Sequence, residues 1–275
     1  MEPFVKQNEQ YYSIKNWVEQ YPGLVAGFTT KNGGSSKDSF QSQNFGFHVG
    51  DNLTDVCANR ESLAKSIRVP LEKWVGAEQT HGIRIKKVTS EDCGKGSYAY
   101  DDSIKDTDGF YSTEKGILMT LCFADCVPLY FIAPEKKMIG IAHAGWKGTV
   151  HGIGAKMVST WQQEGIDVER ISVIIGPSIC KKCYIVDDYV ITFVQNTLEH
   201  VEKKPYNQIQ EGQYTLDLQE LNKQLLMKQG IKEDQILTTT YCSSCHQDEF
   251  FSHRRDNGKT GRMMSFIGWR EDSDF

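Results

Sequence analysis

The order of apolar and polar residues predicts a chain dominated by short strands. Apolar runs of strand length recur along it, and glycine, proline or charged turn residues bound each of them. The clearest runs are 24–30 (LVAGFTT), 116–123 (GILMTLCF), 127–133 (VPLYFIA), 136–142 (KKMIGIA), 171–176 (ISVIIG) and 263–269 (MMSFIGW). Further strands are predicted at 74–82, 83–90 and 236–242.

Three segments instead carry apolar residues at helical spacing. The first covers 54–68 and the second 149–164, and the third begins after Asp217, a typical N-terminal cap. Pro70, Gly165 and Gly230 follow the three segments and suit helix ends. Because strands outnumber helices and short turns join many of them, we predict an α+β fold with mixed, largely antiparallel sheets.

The longest apolar stretch, 116–134, has the length of a membrane span. Asp125 and Pro128 interrupt its centre, so two buried strands with a break between them fit better. The N-terminal residues are polar and mixed in charge, without the apolar core of a signal peptide. We therefore expect a cytoplasmic protein with no membrane partner, whose eight cysteines are reduced thiols or metal ligands rather than disulfides.

The net charge of the chain and its lack of repeats limit the functions and the domain organisation that the sequence allows. A formal net charge of −5 argues against general nucleic-acid binding, which requires a basic surface to neutralise phosphates. No internal repeat or low-complexity linker divides the chain, so we predict a single domain over residues 1–275.

Three short turns after extended segments each present a metal-binding or nucleophilic group beside small residues. They are QTHG with His81, ADC with Cys126 and AHAGW with His143. Imidazole nitrogen and thiolate sulfur are ligands that zinc prefers, and catalytic zinc sites often use three protein ligands. Asp125, next to Cys126, could exchange protons with a bound water or substrate. Single histidines and cysteines usually only pack, and spacing alone does not show that these three meet.

Two CxxC pairs, Cys180–Cys183 and Cys242–Cys245, form a second group. Such pairs suggest a structural zinc site, but the stretch between them is far longer than in zinc ribbons. A composite metal site and a set of free thiols both remain open.

Cationic and polar residues supply candidate substrate contacts. The segment 250–263 (FFSHRRDNGKTGRM) clusters cations around two glycines and is typical either of an anion pocket or of a solvated turn. The loop NFGFHVGD could hydrogen-bond a ribose or a base, or simply form a turn. The candidate substrate-binding residues are Asn44, His48, Arg60, Lys147, Arg254, Arg255 and Arg262.

Together these stretches resemble the YlmD/YfiH-like purine nucleoside phosphorylase family, formerly described as a multicopper polyphenol oxidoreductase or laccase domain. The resemblance runs in order from about residue 24 to 269, nearly the whole chain. Its most specific part is ADCVPL with HAGW downstream. The other matching stretches are GFTTKNGG, NFGFHVGD, Asn59–Arg60, QTHG, IGPSI and FFSHRRDNGKTGRM.

The resemblance implies a four-layer α/β/β/α sandwich with catalytic zinc on His81, Cys126 and His143. It implies phosphorolysis of adenosine, inosine, guanosine or S-methyl-5′-thioadenosine, with purine nucleosides and phosphate as the partners. Adenosine deamination accompanies this activity in the family. The oligomeric state stays open.

The chain departs from the family pattern at three positions. Lys147 replaces a common arginine, which keeps the charge but loses the bidentate fork. Ile185 stands where glutamate is common, and His253 stands where tyrosine is common. These departures put the substrate contacts in question and leave the three zinc ligands intact.

Three other functions remain as alternatives. A copper-dependent polyphenol oxidase needs several coppers and His-x-His pairs, but the chain has seven histidines and no such pair. The family's fold is also similar to that of a toxin deamidase domain, so a cysteine hydrolase or deamidase with Cys126 as nucleophile and His143 as base is a second alternative. A non-catalytic binding protein is the third.

Overall fold

The computed structural model describes residues 2–198 and 203–271, and elements are numbered along the chain. Two six-stranded sheets form its centre. The first sheet contains, from edge to edge, β1 (Phe4–Lys6), β2 (Tyr11–Ile14), β3 (Leu24–Thr29), β15 (Met263–Trp269), β7 (Ile117–Phe123) and β4 (Trp74–Gly76). The second contains β14 (Ile236–Thr238), β10 (Ser172–Ile175), β8 (Val127–Ala133), β9 (Met138–Ala144), β6 (Gly109–Ser112) and β5 (Ile85–Lys87).

Antiparallel pairing predominates in both sheets, as predicted. Within the described residues, the parallel pairs of strands are β4 with β7, β10 with β14, and β5 with β6. A small third sheet is fully antiparallel and consists of β11 (Ile185–Asp187), β13 (Gln213–Leu216) and β12 (Tyr206–Gln210).

Most helices cover the outer faces of the two large sheets. They are α2 (Leu53–Ile67), α3 (Trp146–Val150), α4 (Ile153–Gln163), α5 (Asp188–Thr197) and α6 (Leu218–Lys228). The short helix α1 (Lys15–Gln20) instead places Trp17 in the core between the sheets. Leu63 and Ile67 of α2 pack on the outer face of the first sheet. Residues of α4, α5 and α6, such as Trp161, pack on the outer face of the second.

The core between the two sheets completes the sandwich. Alternate residues of β8 face opposite sides, so Tyr130 joins the core between the sheets while Leu129 and Phe131 face the helices. From the first sheet, Met119 and Ile267 enter the same inner core. The layers are therefore α/β/β/α, which confirms the predicted four-layer fold. The single-domain assignment stays a prediction.

Several predicted elements change at their ends. The helix expected over 149–164 is divided into α3 and α4 at His151–Gly152, because Gly152 adopts a left-handed conformation with φ of 84°. The strands expected at 74–82 and 83–90 shorten to β4 and β5 and lie in different sheets. The stretch 116–134 forms β7 and β8 with a break between them, as predicted. Among the described residues, no helix is long and apolar enough to span a membrane.

Candidate active site

The chain crosses from the first sheet to the second at two connections, and both carry a predicted metal ligand. His81 lies between β4 and β5, and Cys126 lies between β7 and β8. His143 comes from the end of β9 in the second sheet, where it pairs with Pro128. One potential ligand atom from each of the three side chains lies within 4.8 Å of those from the other two. The structure therefore brings together the three residues that the sequence singled out.

A buried carboxylate, Asp108, holds this group in place. Its Oδ1 lies 2.8 Å from Nδ1 of His143, so the other ring nitrogen of His143 is left for Cys126 or a metal. The same carboxylate accepts the backbone N–H groups of His81 at 3.1 Å and Gly82 at 2.8 Å. These bonds fix the turn in which His81 has a left-handed φ of 61°, a strained conformation for a non-glycine residue.

Asp108 was not anticipated from the sequence. It lies directly before β6, in the segment DTDGF, where aspartate and glycine resemble an ordinary turn. The sequence signal that could have found it is an acidic residue immediately before a buried strand, since such a carboxylate needs buried partners.

The electrostatics couple Cys126 to the two histidines. Burial raises the pKa of Cys126, but His143 and His81 outweigh this effect and lower the pKa to about 6. For His143, burial lowers the pKa, and Cys126 and Asp108 together raise it to about 9. In the absence of metal the pair is therefore a thiolate beside an imidazolium at neutral pH. A thiolate is the form of cysteine that binds metal.

Asp125 lies at the same end of the sandwich, with a left-handed φ of 89°. Its Oδ1 accepts from the Ser243 hydroxyl at 2.6 Å, and its Oδ2 accepts from the backbone N–H of Arg254 at 2.7 Å. The carboxylate thus ties the strand break to the segment around Arg254. Its predicted role in proton transfer stays a prediction.

The three candidate ligands line a cavity of about 530 Å³. Five other predicted site residues line the same cavity, namely His48, Asp125, Lys147, Arg254 and Arg262. Trp146, Tyr184 and His253 also line the cavity, although they are not among the substrate contacts predicted from the sequence. Burial, followed by repulsion from Arg262 and Arg60, lowers the pKa of His48 to about 4, so this ring is neutral at physiological pH.

Two of the cations in the cavity are available to an anion. Nη1 of Arg262 donates to the carbonyls of Thr260 and Gly261, and the other guanidinium nitrogens have no hydrogen-bond partner among the described residues. Lys147 is exposed, and it forms no ion pair with any residue that the structure describes. Arg254 donates to the carbonyl of Ile185 and stacks over Tyr184.

Three predicted substrate contacts do not line this cavity. Arg60 is buried, and its guanidinium donates to the carbonyls of Phe45, Gly96 and Ser97. Arg255 pairs with Asp256 and donates to the backbone carbonyls of Ser243, Ser244 and Phe250. The buried Asn44 accepts the backbone N–H of Arg262 at 2.8 Å. These residues support the cavity walls, and their assignment as substrate contacts has no support in this placement.

Gly145 makes room for the ligand group, and we expect Gly145→Ala to impair it. An alanine Cβ at this position would lie 2.9 Å from Cδ2 of His81 and 3.0 Å from Sγ of Cys126. The backbone itself suits alanine, with φ of −64°. The variant should therefore fold, and we expect it to bind zinc, the metal predicted for this group, roughly tenfold or more weakly than the wild type, since small displacements of ligands cost that much.

Competition with a chromophoric chelator measures this affinity. Gly154→Ala in α4 is the control, because its nearest neighbour is a flexible methyl group of Leu226 at 3.2 Å. Equal zinc affinity of Gly145→Ala and the wild type would show that the ligand group tolerates the extra methyl.

The four-layer fold and the three-donor site define a recognised class of proteins. Residues 25–270 match the family described as multi-copper polyphenol oxidoreductase laccase. The chain belongs to this family, and the resemblance seen in its motifs is thereby confirmed.

Its curated relatives carry a different functional name. Purine nucleoside phosphorylase YlmD of Geobacillus stearothermophilus is 46% identical over 271 residues, covering 98% of this chain and 99% of the relative. Purine nucleoside phosphorylase YlmD of Bacillus subtilis is 46% identical over 273 residues, covering 98% of each chain.

Solved structures agree with the fold. The crystal structure of YlmD from Geobacillus stearothermophilus superimposes with a TM-score of 0.95 at 45% identity, covering 98% of this chain and 100% of that one. The crystal structure of the Bacillus licheniformis hypothetical protein YfiH gives a TM-score of 0.95 at 46% identity, with the same coverage.

Proposed function

We propose that this chain is a zinc-dependent purine nucleoside phosphorylase that also deaminates adenosine. The observation that carries the proposal is one cavity lined both by the His81–Cys126–His143 group and by the cations Lys147, Arg254 and Arg262. Such a cavity suits a ligand pair of nucleoside and phosphate. The names of the two YlmD relatives support the phosphorylase activity.

The donor set suits zinc. Two imidazoles and one thiolate are a ligand combination found in catalytic zinc sites, which keep a further position open for water or substrate. Asp108 orients His143 from behind, as carboxylates commonly do for metal-binding histidines. When bound, zinc supplies a Lewis acid and lowers the pKa of a coordinated water to about 7. Copper is expected only if the protein is a polyphenol oxidase. An oxygen-uptake assay together with metal analysis tests this alternative.

Phosphorolysis breaks the bond between ribose and base, and phosphate becomes bonded to the ribose carbon. The products are the free base and ribose 1-phosphate. In this proposal Arg262 and Lys147 bind the phosphate dianion. Their positive charges stabilise its negative charge while phosphate approaches the ribose carbon. The aromatic faces of Trp146 and Tyr184 provide apolar walls for the nucleoside.

Deamination of adenosine replaces the amino group at C6 with oxygen from water and releases ammonia. It requires a group that moves protons between water and the departing nitrogen. Asp125 is the proposed carboxylate for this role. It directly precedes the proposed ligand Cys126 in the sequence, and it lines the cavity. We further expect the protein to act in the cytoplasm, which stays a prediction.

Inosine tests the phosphorylase without interference from deamination, because its C6 already carries oxygen. The wild type should release hypoxanthine only when phosphate is present. Arg262→Gln should raise the KM for phosphate roughly tenfold to hundredfold, since a charge-assisted hydrogen bond is worth about 1.5–3 kcal/mol.

Lys259→Gln is the matched control. Lys259 belongs to the same cationic segment but is exposed and lies outside the cavity. The KM of Lys259→Gln for phosphate should therefore equal that of the wild type. Release of hypoxanthine at the same rate without phosphate would contradict the phosphorylase proposal. An unchanged phosphate KM in Arg262→Gln would contradict only the role of Arg262.

A further inference from the structure

The two CxxC pairs, which lie far apart in the sequence, meet in the structure. Cys180 and Cys183 lie in the loop after β10, and Cys242 and Cys245 lie in the loop after β14. Because β10 and β14 are parallel neighbours, both loops leave the same edge of the second sheet. A bridge between Ser178 and Cys242 continues the pairing into the loops. Strand pairing thus replaces the short sequence spacing of a zinc ribbon.

The sulfur atoms have the spacing of a metal site rather than of a disulfide. All four Sγ atoms lie within 4.8 Å of one another. Cys180 and Cys183 lie 3.8 and 3.4 Å, respectively, from Cys245, measured between Sγ atoms. Four thiolates at about 2.3 Å from a tetrahedral zinc have edges of roughly 3.8 Å. A disulfide needs about 2.05 Å.

The backbone also supports a thiolate at this place. The N–H groups of Cys180 and Cys245 both point to Sγ of Cys242, at 3.2 and 3.3 Å. Such hydrogen bonds from the surrounding backbone orient metal ligands and stabilise their charge. Lys181 and Lys182, between the first two cysteines, add positive charge next to the four sulfurs.

We propose that Cys180, Cys183, Cys242 and Cys245 form a second, structural zinc site with four thiolate ligands. This site is separate from the His81–Cys126–His143 group, because none of its cysteines lines the cavity. A closed set of four sulfur ligands leaves no open position for substrate, which is typical of structural zinc. Its role is to clamp the two loops to each other.

The clamp matters because each loop leads into a wall of the cavity. The first loop carries Ile179 and continues into Tyr184, and both residues line the cavity. In the second loop, the hydroxyl of Ser243 donates to Asp125, and its carbonyl accepts from Arg255. Zinc at the four cysteines would therefore hold Tyr184 and Asp125 at fixed positions in the lining of the cavity.

Metal stoichiometry tests the site directly. The reduced wild type, loaded with zinc and desalted, should hold one zinc ion per chain beyond the ion at the His81–Cys126–His143 group. The double variant Cys183→Ser/Cys245→Ser should lose this additional ion and keep the ion at the His81–Cys126–His143 group. Cys126→Ala should instead keep the additional ion and lose the ion at that group. Cys57→Ser is the control, because Cys57 belongs to neither group and should lose no metal.

A measurement on the wild type does not depend on how the variant folds. Replacement of zinc by cobalt should give the absorption of tetrahedral cobalt bound to four thiolates. In the native zinc form, iodoacetamide should leave these four cysteines unmodified until a chelator is added. Equal zinc content in the wild type and the double variant would overturn the proposal. Alkylation of these four cysteines at the same rate with and without chelator would also overturn it.

Discussion

Cys126→Ala should leave the catalytic group without zinc and reduce both phosphorolysis and deamination to background. Cys126 supplies the only sulfur of the group, and its thiolate is stabilised by His143 and His81. Two histidines held by Asp108 would remain, too few for a stable zinc site with an open position. The measurements are zinc content per chain and release of base and inosine from adenosine.

Removal of the metal, rather than Cys126→Ala, separates the proposed enzyme from a cysteine hydrolase, because the variant should inactivate both. Cys126, His143 and Asp108 stand in the order of a nucleophile, a base and an orienting acid, so this geometry alone suits both reactions. A strong chelator should stop the wild-type activity if zinc is required, and added zinc should restore it. Activity that survives complete metal removal but is lost on alkylation of Cys126 would favour the hydrolase.

Asp108→Asn should weaken zinc binding by roughly 10- to 100-fold, the usual cost of removing the hydrogen-bond partner of a metal-binding histidine. Burial raises the pKa of Asp108, but bonds from His143, Gly82 and Thr80 outweigh it and keep the pKa below its usual range. The group is therefore an acceptor on both oxygens at neutral pH. An amide offers only one acceptor atom, so either His143 or the turn at His81 loses its bond.

The control for this variant is Asp106→Asn. Asp106 is exposed and accepts from the Thr80 hydroxyl at 2.7 Å, a bond that an amide oxygen also accepts. Its zinc affinity should match the wild type. If Asp108→Asn also bound zinc as tightly as the wild type, Asp108 would not be the residue that positions the group.

The strands and the three candidate ligands were predictable because local sequence specifies both. Apolar runs predicted β3, β7, β8, β10 and β15, and the residues of the ligand group stand out as reactive groups beside small residues in turns. Their meeting was not predictable, since it depends on two chain crossings between sheets. Pairing of β10 with β14 similarly decides whether the four other cysteines meet.

Arg60 shows how one residue can give two signals. It lies on the apolar stripe of α2 with Val56, Leu63 and Ile67, a position that indicates burial. Its charge, in contrast, suggested an anion contact. The structure follows the stripe, because three carbonyl groups satisfy the buried guanidinium. Position on the helix was the better guide here than charge.

Adenosine incubated with the zinc-loaded protein, with and without phosphate, tests the central claim most directly. Chromatography separates adenosine, adenine, inosine and hypoxanthine, and so reports both reactions at once. We predict adenine only with phosphate, inosine without phosphate, conversion of part of that inosine to hypoxanthine when phosphate is present, and none of these products with Cys126→Ala. If the zinc-loaded wild type forms neither adenine nor inosine, the proposed function is wrong.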